Sequence, residues 1–273
     1  TDDLVRVVTV ESAERVACLL ESFTDTWLLA GGNVAAAVDG SWENTDLELD
    51  DSVIRLGSSM NPEIEAVIAA SPDLCLASAQ VNGQLELEEQ LTQAGITVAY
   101  FNVSDFDEYL HMLDICTDIT GRKDLYEENG LSVEEEIEEV LLRTDGSAPT
   151  VLYLRASSTS IKAKGSSGSV GSEILYNLGC VNIADSDESL LEELSMEAII
   201  EADPEYIFVV PYGNNMAAAE KLIEEQLLSN PAWASLTAVR EGNYYVLDKR
   251  LYHLKPNAKW GEAYRGLADI LYP

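Results

Sequence analysis

The sequence predicts an α/β protein of two similar lobes, each with a central, mostly parallel sheet, joined by one long helix. Three observations carry this. Glu65–Ser78 (EAVIAASPDLCLAS) and Glu197–Val210 (EAIIEADPEYIFVV) share one layout: a Glu opens a short apolar helix, a Ser-Pro or Asp-Pro breaks it, and a strand follows. Proline lacks an N–H and disfavours helix in the residue before it, so Pro72 and Pro204 each end a helix and release an extended segment. The strands LCLAS and YIFVV are too apolar to face water on one side, which places them in sheets covered on both faces. Strands and helices also alternate through both halves of the 273-residue chain, the pattern of parallel sheet.

Taken in order, Val5–Val10 (VRVVTV) and Arg15–Leu19 read as strands. Glu21–Leu29 reads as a helix stopped by Gly31-Gly32, and Asn33–Val38 as a strand. Asp39–Asp51 is polar and loop-like. Val53–Leu56 is a short strand, and Gly57–Pro62 turns into the Glu65 helix. Leu85–Ala94 is helical and Ile96–Phe101 is a strand. Phe106–Thr120 is a helix, and Asp124–Arg143, highly charged and without strand signals, is a long helix crossing between lobes. These readings give an N-terminal lobe over 1–120, a connecting helix over 121–145 and a C-terminal lobe over 146–273. The second lobe opens with strand Thr150–Ala156 and a Ser/Gly-rich loop, Ser157–Gly171. Helix Ser172–Leu178, loop Gly179–Ser189, the Glu197 helix and its strand follow. Helical segments at 217–228 and Trp233–Val239, strand Asn243–Leu247 and a closing helix Trp260–Leu271 complete the chain.

Composition excludes several classes. There are 49 acidic against 16 basic residues, a net charge of −33, and such a surface repels nucleic-acid phosphates and anionic lipid head groups. Runs such as Glu134-Glu135-Glu136 read as solvated helix faces. A hydrophobic content of 47% marks a globular chain, and no apolar run approaches the ~20 residues that span a bilayer. No signal peptide is visible, and the chain opens at Thr1, so the sequence leaves location open. Cys18, Cys75, Cys116 and Cys180 form no CxxC pair and no zinc-site spacing; Cys18 and Cys75 read as small buried groups in strands. There is no GxGxxG, no GxxxxGK[ST] and no GxSxG. Ser166-Ser167-Gly168-Ser169 lacks a partner base, which argues against a hydrolase; that enzyme reading, or a metallocluster enzyme on a similar fold, is the alternative from another class. With only His111 and His253, capture of bare zinc or manganese is disfavoured.

Over nearly its whole length the chain resembles the ABC-importer solute-binding proteins that capture ferric siderophores, haem and corrinoids. The residues that carry this are Thr1-Asp2-Asp3-Leu4 through Arg15-Val16, the two Glu–Pro–strand units, LGCVNIAD (Leu178–Asp185), NPAWASLTAVREGNYYVL (Asn230–Leu247) and the tail from Lys255 to Tyr272. The sequence departs from the pattern at Val5 and Cys180, where the family often has Gly. The resemblance implies two α/β lobes joined by one rigid helix, ligand held in a mostly preformed cleft between them, and little closure. It implies a binding protein rather than an enzyme: a monomer with no covalent cofactor, extracytoplasmic, either a membrane-anchored lipoprotein at the cell surface or periplasmic. Its partners are an iron complex and an ABC permease; a cobalamin or corrinoid cargo is the alternative within the family, and a surface sensor without a transporter a further one.

The resemblance also implies that Glu65 and Glu197 dock onto permease arginines. Two carboxylates at fixed separation meet two guanidinium forks in bidentate contacts; the plainer reading is that both are helix-start residues favoured by the macrodipole. Ligand contacts are expected in loops after strand C-termini: Glu21–Phe23, Ser58–Asn61, Ser78–Asn82, Arg155–Gly165, Pro211–Asn215 and Leu251–Pro256. Met60 and Tyr212 sit where haem-binding members carry iron ligands, or are a gap-filling Met and a rim aromatic. Arg155, Lys162 and Lys164 cluster in one loop region; Lys249, Arg250, Lys255 and Lys259 cluster with His253. A positive site in a strongly negative chain attracts carboxylate, catecholate or propionate groups, although charge balance alone also places cations there. Tyr252, Trp42 and Trp260 are candidates for stacking on a flat ligand, with Trp260 also read as helix core.

Overall fold

The computed structural model describes residues 1–43, 47–192, 194–213 and 215–273. Two compact units divide the chain, Thr1–Val133 and Glu134–Pro273. The division falls within a helical run from Lys123–Tyr126 through a π-type stretch, Glu127–Leu131, to Ser132–Leu141. Gly130 lies within this run where a Cβ would press on Leu110 and Leu113, so its bare backbone lets the run approach the helix Phe106–Thr120 of the first unit.

The first unit holds a five-stranded sheet and a small hairpin. Its strands are β1 (Val16–Cys18), β2 (Val34–Ala37), β3 (Ile54–Arg55), the hairpin pair β4 (Gly57–Ser58) and β5 (Asn61–Pro62), β6 (Leu74–Ser78) and β7 (Thr97–Phe101). The sheet runs β3-β2-β1-β6-β7 with every pair parallel. Strand β6 is buried along its length, as its unbroken apolar run requires. Ala17, Ala36, Cys75, Ala77, Val98 and Tyr100 pack on one face with Leu56, Val67 and Leu91. The helix Phe106–Thr120 buries Tyr109, Met112, Leu113 and Cys116, a stripe at helical spacing.

The second unit repeats the plan with one addition. Strands β8 (Thr150–Ala156), β9 (Ile161–Lys164), β10 (Val181–Asn182), β11 (Tyr206–Pro211) and β12 (Tyr244–Val246) give the order β10-β8-β11-β12, all parallel, with β9 antiparallel to β8. Leu152, Leu154, Ile207 and Val209 face a core closed by Ile199, Ile223 and Trp233.

Four elements match the sequence reading to the residue: Glu21–Leu29, Phe106–Thr120, Thr150–Ala156 and Trp260–Leu271. Several readings are corrected, among them the loop Gly179–Ser189, which carries β10. Val5–Val10 is not a strand; Val5 and Val7 are 85% and 87% exposed. The buried Asp2 carboxylate accepts Arg6 N–H, the Arg6 guanidinium and Tyr100 N–H, which folds the segment back as a loop. Val5, where the related pattern often has Gly, adopts φ 62°, a conformation that glycine takes without penalty. Within the predicted loop Ser157–Gly171 lies β9, whose backbone groups pair along β8. Leu85–Ala94 is two short helices, Asn82–Leu85 and Glu88–Gln93. Of the expected loops, residues 44–46 in Asp39–Asp51 and residue 214 in Pro211–Asn215 lie outside the described residues. All four cysteines are buried free thiols.

Candidate functional site

In the second unit, Arg155 is the penultimate residue of β8, opposite Val210 in β11 and Lys162 in β9. Tyr212 follows the last residue of β11, and its N–H donates to the Ala156 carbonyl at 2.8 Å. Both side chains thus stand at the carboxyl ends of parallel strands, where open α/β sheets leave their crevice. The Arg155 guanidinium carbon lies 4.5 Å from the Tyr212 ring centre. The His253 ring, just after the helix Lys249–Tyr252, packs against Tyr212 in a tilted contact at 4.7 Å and 40°. Residues that are far apart in sequence therefore meet around one tyrosine.

The electrostatics here are those of clustered cations. Among the described residues, no carboxylate pairs with Arg155, Lys162 or Lys164, in a chain with 49 acidic residues. The Arg155 Nε is buried and has no hydrogen-bond partner. The Lys164 ammonium is pushed down by burial and by Arg155 and Lys162. Burial, then Arg155, Lys255 and Lys249, push the His253 imidazole down to about 3, so the ring is neutral at physiological pH. Lys162 is exposed, while Lys164, Tyr212, His253 and Lys255 are half-buried. Arginine's planar fork suits carboxylate and catecholate oxygens bidentately, so this arrangement has the chemistry to receive an oxyanion.

Tyr252 does not fit the stacking role expected of it. It is 6% exposed, its hydroxyl donates to the Ala263 carbonyl at 3.1 Å, and its own carbonyl accepts the Tyr153 hydroxyl at 2.6 Å. Trp260 is likewise core, 1% exposed.

In the first unit Met60 is 66% exposed in the turn of the β4–β5 hairpin. That turn is held by Gln84, fully buried, whose Nε2 donates to Ser59 and Leu19 carbonyls at 2.7 Å while its Oε1 accepts Ser78 N–H at 2.6 Å. Gly83 lies where a Cβ would meet the Met60 carbonyl. Sequence reasoning missed Gln84, a polar residue in a helical stretch, and it missed Arg55. The Arg55 guanidinium carbon stands 4.0 Å from the Trp42 ring centre and pairs with Asp39 at 3.3 Å. Arg55 ends β3 much as Arg155 nearly ends β8; a search for cation clusters overlooks it because it stands alone in sequence. His111 is exposed and faces Asp3 at 3.5 Å. Among the described residues no group of three or more His, Cys, Asp or Glu is placed to hold a bare metal ion.

Glu65 and Glu197 are exposed in the first turns of the helices Ile64–Ala70 and Met196–Ala202. Each helix ends in a non-glycine residue of left-handed conformation, Ser71 (φ 47°) and Asp203 (φ 40°), before its proline. Hydrogen bonds to distant segments hold both ends. Arg15 donates to the Ala70 carbonyl at 2.6 Å and the Ser71 carbonyl at 3.3 Å; the Asp203 carboxylate accepts Thr237 N–H at 2.8 Å and its hydroxyl at 2.6 Å.

Comparison with known proteins gives one family and a consistent set of relatives. The family described as periplasmic binding protein matches residues 16–251. The Fe(3+)-citrate-binding protein YfmC of Bacillus subtilis (strain 168) is 25% identical over 243 residues, 86% of this chain and 73% of that protein. Among solved structures, an ABC transporter substrate-binding protein from Listeria monocytogenes EGD-e superposes with a TM-score of 0.76 at 18% identity, covering 96% of this chain and 99% of the other. The periplasmic heme-binding protein RhuT from Roseiflexus sp. RS-1, in apo form, gives 0.78 at 19% identity over 96% and 98%.

Proposed function

The chain belongs to the periplasmic binding protein family, a family of binding proteins and not of enzymes, and on that premise we propose that it captures an anionic ferric complex and delivers it to an ABC permease. One observation carries the choice of cargo: Arg155, Lys162 and Lys164 are without carboxylate partners among the described residues. In a chain of net charge −33, cations are scarce and acids abundant, so a cluster that avoids internal pairing is reserved for charge brought from outside. In this reading Arg155 grips a carboxylate or catecholate of the ligand, Lys162, Lys164 and Lys255 supply the surrounding positive potential, and Tyr212 and His253 form an aromatic wall. The relative named for Fe(3+)-citrate supports a carboxylate-rich ferric siderophore. Titration with ferric citrate, a ferric catecholate and haemin, followed by tryptophan fluorescence, tests it. Saturable binding of an anionic ferric complex is the expected outcome; no binding of either removes the reading.

Haem is a second reading, favoured by the exposed thioether of Met60 or the phenol of Tyr212 as an iron ligand. A Soret band on haemin addition, lost in Met60→Ala or Tyr212→Ala, supports it. Delivery is assigned to Glu65 and Glu197, exposed on helices whose ends are fixed. Charge reversal at both positions is expected to abolish uptake while ligand affinity stays, and unchanged uptake refutes the docking role. Among the described residues no helix is long and apolar enough to cross a membrane. On this reading the protein acts outside the cytoplasm as a monomer, tethered as a lipoprotein or held in a periplasm; fractionation of cells distinguishes the two locations. The organisation proposed is a lobe over 1–120, a connecting helix over 121–145 and a lobe over 146–273.

A further inference from the structure

We propose that each docking helix offers its partner two groups and not one: a carboxylate and, one turn later, an isoleucine, Glu65 with Ile68 and Glu197 with Ile200. The inference rests on the docking role given above to the two glutamates. The helix Ile64–Ala70 turns Val67 and Ala70 inward, and the helix Met196–Ala202 turns Ile199 inward. The two isoleucines are on the other side, with Ile68 40% and Ile200 42% exposed. Residues three apart lie side by side on a helix, so each isoleucine stands next to its exposed glutamate.

Helix chemistry alone does not explain this pairing. A glutamate in a first turn is favoured by the helix dipole. Each isoleucine keeps about two-fifths of its surface in water, and that exposed part gains nothing, while a β-branched residue loses side-chain freedom and has weaker helix propensity than the Lys, Gln or Ala that would serve there. The Glu-x-x-Ile register nevertheless occurs in both units at the same distance before the proline. Ion pairs at a surface weaken with salt, whereas an apolar contact does not. For a chain of net charge −33, which needs counter-ions to remain compact, an isoleucine supplies a share of docking that survives screening. The Arg15 and Asp203 clamps hold both helix ends before any partner arrives, so little ordering is lost on contact. The occupant is accordingly a protein surface with a cationic group beside an apolar socket, presented once to each unit, and it is the importer's permease.

The test is docking to that permease, reconstituted in nanodiscs, at low and high salt. Ile68→Ser with Ile200→Ser is expected to weaken docking by about tenfold per isoleucine at both salt concentrations, leaving the salt dependence unchanged. Glu65→Gln with Glu197→Gln is expected to weaken it mainly at low salt and to flatten the dependence. Ile68→Met with Ile200→Met keeps an apolar contact and is expected to dock nearly as the parent does. Unchanged docking of the serine variant, with the glutamine variant impaired, overturns the isoleucine proposal and leaves the glutamate role standing; unchanged docking of both variants removes the docking reading itself. Loss of ligand affinity or a lowered melting temperature in the serine variant makes the isoleucines structural and also overturns the proposal.

Discussion

Replacing Arg155 with methionine separates the two roles an arginine can have, because a ligand contact shows in affinity and a structural one in the stability of the free protein. In the unliganded protein the substitution removes the stack on Tyr212, worth about 0.5–2 kcal/mol depending on desolvation. It also removes a buried Nε that lacks a partner, a defect costing about 1–3 kcal/mol, and relieves the like charge that Arg155 shares with Lys162 and Lys164. Methionine is unbranched and fills the stem's volume. The first two effects together leave the variant between about 1 kcal/mol less and about 2.5 kcal/mol more stable, with charge relief adding to the favourable side. With ligand, the arginine's charge-assisted hydrogen bonds to an oxyanion are lost, about 1.5–3 kcal/mol, or about ten- to 150-fold in dissociation constant. Urea titration of the free protein and fluorescence titration with ferric citrate measure both sides. A variant that binds as well as the parent refutes the assignment of this cluster to an anionic ligand. A variant that loses more than about 3 kcal/mol when free shows that Arg155 is a structural residue.

Further outcomes follow from other groups. His253 has a folded pKa near 3, below its ordinary value of about 6.5, so the unfolded chain takes up its proton first on acidification. Its contribution to stability is present above about pH 6.5 and is lost as pH falls towards 3; a His253→Asn variant should lack that share of the acid sensitivity, read as the difference in urea midpoint across the window. Gln84→Leu leaves the Leu19 and Ser59 carbonyls and the Ser78 N–H without their partner, and is expected to cost about 2–5 kcal/mol by urea titration and to loosen the hairpin that carries Met60. Val5→Gly relieves a left-handed β-branched residue and should stabilise the protein by about 1 kcal/mol; a lower melting temperature contradicts the strain argument.

Much of the fold is legible because local rules and tertiary demands agree. Pro72 and Pro204 end helices wherever they stand, and β6 and β11 read as buried strands because no polar alternation interrupts them. The N-terminal VRVVTV misleads for the converse reason. A β-prone composition needs a neighbour strand to bond with, and Asp2 instead binds Arg6 and the Tyr100 N–H of β7, which folds the segment as a loop. Strand β9 is hidden because IKAK lies among serines and glycines and acquires its ladder only from β8.

The fold class, the repeated helix–Pro–strand units, the acidic composition and the two glutamates are all readable along the chain, because local residue order and composition carry them. Arg155, Tyr212 and His253 stand there on separate segments. Folding brings the three around one ring, buries Tyr252 in the core and sets Arg55 over Trp42. Burial and charge pairing depend on what packs alongside, and strand order, not chain order, sets those neighbours.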